Sequence, residues 1–443
     1  MHLVDKIRGQ PVDCHTMRIV VIGAGIVGLA SAHFLRAEGV RDIVVVDAAS
    51  GPGQGTSYAN GALLHPSAVE PWNSPGILGY LIRHLGREDA AVLLRARALP
   101  SLVFWGLRFL RESSPARFRA NAMANTALAM DSMQCLRDMG ADAWDFNHTR
   151  KGSLTVLRDA RALDESANWA ATLSQAGVRH RVLDRAGLLA VEPALAPIAG
   201  ELAGAIHNLD DETGDCHRFC VALAASLARD GVQLRWNTRV ERIDADRGRV
   251  RGVHLAGGVR IDADEVVLAA GPHSVALAAA VGLRLPIRPA KGYSLTYTLD
   301  ADAPAPGHPV IDRALHVALT PLGEDGTRKL RVAGTAEFCG DDLRIAQGRV
   351  DHLAALATRL YPEVLRRPAV EAPRVWAGLR PVCADGRPLI GATRIGGLWL
   401  NTGHGHLGWT VGPGSGRLLA LQMKQQLPAE VNAEAFSPAR FGL

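Results

Sequence analysis

Arg18-Ile-Val-Val-Ile22, followed at once by Gly23-Ala-Gly25-Ile26-Val27-Gly28, is the stretch whose reading decides the fold. A short β-branched run of this kind suits a strand buried on both faces of a parallel sheet. The residues after it carry a helical pattern through Ala30, Phe34 and Leu35 to Gly39, and Ile43-Val-Val-Val46 then reads as a second strand ending at Asp47. In that context the glycines have separate roles: Gly23 makes the turn, Gly25 lets the backbone approach a pyrophosphate, and Gly28 lets helix and strand pack closely. The helix start at Ile26 and Val27 offers free N–H groups to phosphates. Asp47 stands where an acid can hydrogen-bond a ribose hydroxyl.

This unit alone does not separate NAD from FAD. The chain continues with Gly51-Pro-Gly-Gln-Gly-Thr56-Ser57-Tyr-Ala-Asn60-Gly61, a polar, glycine-rich stretch suited to wrapping an extended cofactor rather than starting another crossover. Far downstream, Leu398-Trp-Leu-Asn401 reads as a strand. It leads into the turn Thr402-Gly403-His404-Gly405-His406-Leu407-Gly408-Trp409-Thr410 and a helix from Gly412 to Gln426 with a stop at Pro428. A helix N-terminus aimed at a ring with delocalised negative charge is what a reduced flavin requires. The two regions are therefore expected to build one site, and the cofactor is read as FAD.

At 443 residues, two or three domains are expected, and 48% hydrophobic residues exclude a disordered or fibrous chain. Forty-six glycines with only 5% aromatics favour an α/β enzyme. The charge, 49 − 44 = +5, is spread among acids and gives no clustered basic face, so nucleic-acid binding is not expected. Six scattered cysteines without a CxxC pair read as reduced thiols in a cytoplasmic protein, and no metal site is expected. Residues 1–16 carry no apolar core of a secretory signal and read as a flexible extension. No apolar run reaches the length of a membrane span.

Further blocks carry a resemblance: Glu70-Pro-Trp72, Asp211-Glu-Thr-Gly-Asp-Cys216, Lys291-Gly-Tyr-Ser-Leu-Thr296, Gly378-Leu-Arg-Pro381, Asp385-Gly386 with Pro388, and the stretch from Leu398 to Thr410. With Thr56–Asn60 they make the chain similar to the FAD-dependent D-amino acid oxidase superfamily, and within it to the small subunits of bacterial D-amino acid dehydrogenases. The sequence departs from that pattern at Gly61-Ala-Leu-Leu-His65-Pro66, where the dehydrogenases usually read Gly-Gln-Ile-Ser-Pro. This segment is expected near flavin or substrate, so substrate identity is the property the departure bears on, and His65 is a candidate pocket residue.

The resemblance implies an α/β architecture, with a Rossmann-like FAD-binding domain (17–66, 205–280, 375–443) interleaved with a mixed-sheet α+β substrate domain (67–204, 281–374). It places Val240 against the adenine through its backbone and has Gly271 admit the cofactor. Asp300–Pro309 is expected to be a loop insertion. Oxidising an amino acid moves the Cα hydrogen to the flavin as hydride, so the substrate carboxylate must be held in register. A planar guanidinium grips both carboxylate oxygens best. Arg380, at the end of an expected strand and before Pro381, takes that role by resemblance. Tyr293 is expected to share the carboxylate or close the pocket, or else to sit in the core. His404 is read as cofactor-proximal or structural, and Lys291 as tuning the flavin or solvated.

The implied activity is FAD-dependent oxidative deamination of D-amino acids to 2-oxo acids and ammonia, with electrons passed to a quinone or other acceptor. The alternatives are a D-hydroxyproline or other secondary-amine dehydrogenase, a glycine/sarcosine-type oxidase, or a flavin-binding subunit inactive without its partner. Leu99–Leu110 is apolar and flanked by Arg95, Arg97, Arg108 and Arg111. It reads either as a helix packed in the substrate domain or as a peripheral contact with the inner face of the cell membrane.

Overall fold

Three consecutive elements, β1 (Arg18–Ile22), α1 (Ile26–Ala37) and β2 (Asp42–Val46), open the chain's six-stranded sheet, with β1 and β2 paired in parallel. In this computed structural model the described residues are 17–300, 306–324, 327–366, 371–426 and 428–443. The expected extension 1–16 and residues 301–305 of the expected loop lie outside them. Four of the five residues in each of β1 and β2 are buried, as a sheet covered on both faces requires. At Gly28 a Cβ would sit 1.8 Å from the Gly23 carbonyl oxygen, so only glycine lets α1 lie this close to the turn.

The sheet runs Leu389–Ala392, Leu398–Thr402, Glu265–Leu268, β1, β2, Gln233–Arg235. All its pairings are parallel except at the Leu389–Ala392 edge. Strands from the start, middle and end of the chain are thus immediate neighbours. The fold is an α/β, Rossmann-like FAD-binding architecture interleaved with a mixed-sheet region, as expected.

The late helix spans Gly408–Met423, beginning four residues earlier than the sequence suggests and enclosing Pro413. Its glycines serve packing. A Cβ on Gly412 would meet Ile26, one on Gly414 would meet Ser132, and one on Gly416 would lie 2.6 Å from Ala30 of α1. The helix is therefore wedged between α1 and the long helix Pro115–Asp138, whose Leu128, Ala129 and Met133 share its core. Asp215 caps the helix Cys216–Arg229, accepting from the His217 and Arg218 amides.

The second sheet is mixed and nine-stranded. Its spine runs Arg374–Cys383, Ile287–Leu299, Thr327–Phe338, Val317–Glu324, Val310–Asp312, Ser153–Leu157, Gly204–Asn208 and His180–Asp184, and Val92–Leu94 joins beside Thr327–Phe338. The expected junctions at 205 and 375 fall inside strands of this sheet. Each of those strands enters from it before the chain continues toward the first sheet. A separate antiparallel trio, Val240–Asp246, Arg249–Leu255 and Arg260–Asp262, flanks the first sheet.

Candidate active site

Between the two sheets lies a cavity of about 1610 Å³. At one end it is walled by Asp47, Thr238 and Val240; at the other by Trp72, Trp376 and Arg380. The start of α1 opens on it through Gly25, Ile26 and Val27, and the start of Gly408–Met423 through Gly405 and Gly408. Neither N-cap residue makes a side-chain hydrogen bond, and the starts of both helices line the same space, with Ser57 taking the Ile26 amide of α1.

The loop after β2 is tied in place by its own acid. Asp47 accepts from the Ala24 amide through Oδ2 (2.6 Å) and from the Ala49 amide through Oδ1 (2.8 Å), and each oxygen keeps a lone pair for a ribose hydroxyl. Ser57 Oγ accepts from the Ile26 amide at 3.1 Å, and Thr56 Oγ1 donates to the Leu379 carbonyl at 2.7 Å. Asn60 caps its own turn by accepting from Ala62, and the Gly61 carbonyl accepts from Thr320. Asp47, Thr56, Ser57, Asn60 and Gly61 line the cavity, as do Gly23, Gly271 and Trp409. Gly28, Gly403, Leu407 and Thr410 do not. Gly28 serves packing, and Thr410 Oγ1 accepts from the His65 amide at 3.1 Å.

Arg380 is desolvated by the protein around it and faces the cavity. Its Nη1 donates to the Thr335 carbonyl at 3.0 Å, and no carboxylate pairs with it among the described residues. Its guanidinium lies flat over Gly292, where a Cβ would come within 2.0 Å of Nη1, and sits 5.7 Å from the Trp72 ring centroid. Burial without a counter-charge pulls its pKa down to about 10. A planar cation without a carboxylate partner, lining a cavity, is chemically able to take up a carboxylate.

The pattern of the family described as FAD dependent oxidoreductase matches residues 18–422, nearly the whole described chain. The chain belongs to the FAD dependent oxidoreductase family. It is 41% identical over 427 residues to a D-amino acid dehydrogenase of Paramagnetospirillum magneticum, covering 96% of this chain and 99% of that protein. It is 37% identical to another from Bradyrhizobium diazoefficiens, at the same coverage. Among solved structures it is similar to glycine oxidase from Geobacillus kaustophilus (22% identity, TM-score 0.71, 95% and 98% of the two chains). It is also similar to L-proline dehydrogenase from P. horikoshii (19%, TM-score 0.73, 96% and 98%). At these identities the structural likenesses speak to the fold.

Membership of the FAD dependent oxidoreductase family gives the cofactor, and the residues present fit it: two helix starts opening on one cleft, and an acid at the end of β2 with lone pairs to spare. The remaining expected residues fall into place less evenly. Ala290 pairs with Arg380 and Gly292 with Gly378, so these share one face of the sheet. Tyr293 alternates to the other face, and its hydroxyl donates to Glu337 Oε2 at 2.8 Å within the core beneath the helix Gln347–Leu360. The structure does not bring it to Arg380. Lys291 lies on the Tyr293 side too, donating to the Arg344 carbonyl and pairing with Glu337 at 3.3 Å. Burial raises the Glu337 pKa, but hydrogen bonds from Arg95 and Tyr293 and the Lys291 charge outweigh it and keep Glu337 below the usual range.

His404 is buried, and its Nε2 meets Ser415 Oγ at 3.1 Å. The Ser415 proton goes to the Gly412 carbonyl, so the proton on the His404 ring is placed on Nε2. Burial lowers the pKa of His404 to about 3. His406 stacks on Trp72 (5.3 Å between centroids) and is likewise held neutral, with His65 and Arg380 adding to the effect of burial. His65 joins them on the cavity wall, and its Nδ1 is buried without a partner. Gly292, Trp72 and Thr335 are the site residues that sequence reasoning missed. A lone glycine inside a strand pattern signals a close approach, and Gly292 carried that signal.

Proposed function

We propose that the chain oxidises D-amino acids to 2-oxo acids and ammonia by way of an imino acid, passing electrons to a quinone-type acceptor. The observation that carries this reading is Arg380, a desolvated guanidinium without a carboxylate partner, flat against Gly292 and beside Trp72, in a family whose curated relatives here bear the name D-amino acid dehydrogenase. When bound, FAD supplies the hydride acceptor. Arg380 takes the substrate carboxylate, Trp72 and His406 wall the α-carbon region, and the buried neutral histidines exclude charge beside it. Because His65, His404 and His406 resist protonation, the substrate amine gives its proton to solvent before hydride leaves.

The test is anaerobic addition of D-alanine, D-proline, cis-4-hydroxy-D-proline, glycine and the L-amino acids to the yellow protein. Bleaching by D-amino acids with ammonia release supports the reading. Bleaching only by cyclic amines, without ammonia, replaces it with a secondary-amine dehydrogenase. No bleaching by any amine points to a subunit that needs its partner. The rate at which colour returns in air separates oxidase from dehydrogenase.

The acceptor side of the reading rests on the helix Leu99–Arg111. Trp105 is buried and donates to the Val382 carbonyl, and Phe109 is buried beside it. The opposite face is bare: Phe104 is 81% exposed and Leu107 63%. Ile82, on a neighbouring helix that shares the same apolar cluster, is 68% exposed. Arg95 and Arg97 are taken up by Glu337, Glu88 and Asp342, which leaves Arg108 and Arg111 beside this face. No helix among the described residues is long and apolar enough to cross a membrane. An apolar face beside Arg111 and Arg108, the latter lying 5.8 Å from the Phe441 ring centroid, suits peripheral contact with an anionic bilayer, where quinones dissolve. Phe104→Asp with Leu107→Asp is expected to cut sedimentation with anionic phospholipid vesicles at low salt about tenfold while leaving flavin bleaching unchanged. Equal binding by the variant removes this face from the reading.

A further inference from the structure

Arg380 reaches across the strand Ile287–Leu299 to the strand beyond it, Thr327–Phe338, and meets there an unusual piece of backbone. Pairing between Ile287–Leu299 and Thr327–Phe338 jumps from Lys291 opposite Glu337 to Tyr293 opposite Gly334. Thr335 and Ala336 therefore stand against Gly292 alone, a β-bulge directly beside the glycine over which the guanidinium lies. Thr335 has φ +59°. Among the described non-glycine residues with positive φ it is the only β-branched one, and that side chain fits the left-handed region worst.

Three further observations meet at this residue. Its carbonyl accepts from Arg380 Nη1 at 3.0 Å. The amide of Ala336, the other bulge residue, donates to Ala91 at 2.7 Å and pins the far side of the bulge. The Thr335 hydroxyl makes no hydrogen bond to another described residue, so no protein partner of the side chain offsets the strained conformation. Strained backbone of this kind persists where the surroundings over-determine it, and such places cluster at sites of function.

We propose that Thr335 is a positioning residue for Arg380. Its left-handed backbone turns its carbonyl out of the ladder onto Nη1, fixes the plane of the guanidinium over Gly292, and leaves the remaining N–H groups aimed into the cavity for a carboxylate. This rests on the reading of Arg380 as the carboxylate anchor. Positioning matters because an anchor displaced by an ångström loses the alignment of the bond to be broken.

The experiment measures pyruvate binding to the FAD-loaded protein, through perturbation of the flavin spectrum and by calorimetry, together with the melting temperature. Thr335→Asn, which tolerates positive φ, is expected to bind pyruvate within about twofold of native. Thr335→Pro, which cannot adopt positive φ, is expected to bind it at least about tenfold more weakly with FAD retained. Thr335→Gly, which relaxes the strain but frees the carbonyl, is expected to bind about three- to fivefold more weakly while melting no lower than native. Arg380→Leu is the control. If it leaves pyruvate affinity unchanged, the anchor reading fails. If it abolishes binding while the flavin-loaded Thr335→Pro binds as native does, the positioning role is overturned. Should Thr335→Pro fail to fold, native affinity in Thr335→Gly overturns it, and weaker affinity with an undiminished melting temperature sustains it.

Discussion

Arg380 is surrounded by groups that hold its position without neutralising its charge: a carbonyl, a glycine face and a tryptophan ring. Arg380→Leu should raise KM for a D-amino acid about 100-fold with FAD still bound, because the lost contacts are charge-assisted and desolvated. Steady-state kinetics beside the flavin spectrum check this. Burial lowers the guanidinium pKa to about 10, so pyruvate affinity should hold level across neutral pH and fall as pH rises through about 10, where the anchor loses its charge. A titration of the dissociation constant against pH reads that directly. At this scale the sequence was informative only in part. Arg380 was expected just past a strand end and took its anchor role from the resemblance, whereas the strand Arg374–Cys383 runs on through Pro381, because pairing with Ile287–Leu299 continues to Cys383. Tyr293 could not be placed, because period-two alternation assigns a face only once the register is known, and the bulge at Thr335 and Ala336 shifts the register opposite Gly292, directly beside it.

Helices and strands with strong local signals were legible. The βαβ unit around Gly23–Gly28 and the helix Cys216–Arg229 behind its Asp215 cap stand where their sequences place them. The helix Gly408–Met423 was less so. Gly412, Pro413, Gly414 and Gly416 resemble breakers locally, yet they are there because two other helices press against them. Tertiary packing thus overrides propensity. Gly416→Val should destabilise the protein by about 2–3 kcal/mol, since its Cβ alone would lie 2.6 Å from Ala30, and weaken FAD retention with it. Denaturant unfolding and flavin release on dilution measure both. The short edge strand Val92–Leu94 had no signal of its own, because only its pairing with Thr327–Phe338 defines it.

Across the molecule, the elements linking the two sheets meet at Asp211. Its carboxyl accepts from the Ser67 and Ser153 hydroxyls and the Ser67 amide, and burial nonetheless pushes its pKa up to about 7. The folded state therefore holds a proton there that the unfolded chain gives up near pH 4, so this site's contribution to stability falls as pH rises from about 4 to 7. Asp211→Asn should remove that part of the pH dependence and stabilise the fold at pH 8 by about 2–4 kcal/mol, as urea midpoints at pH 4.5 and 8 will show. The interleaving of the domains was legible only through motifs far apart in sequence that answer to one cofactor; pattern alone could not show that the strands at 204–208 and 374–383 belong to the second sheet. That interleaving also orders events in time. β1 leaves the ribosome long before its near neighbour Leu398–Thr402 exists, and the helix start at Gly408 comes later still. A nascent chain carries β1 and α1 but not the start of Gly408–Met423, so the cavity that both helix starts line is complete only once synthesis has passed Trp409. Capture of any group that needs both helix starts is thereby a late event in the making of this protein.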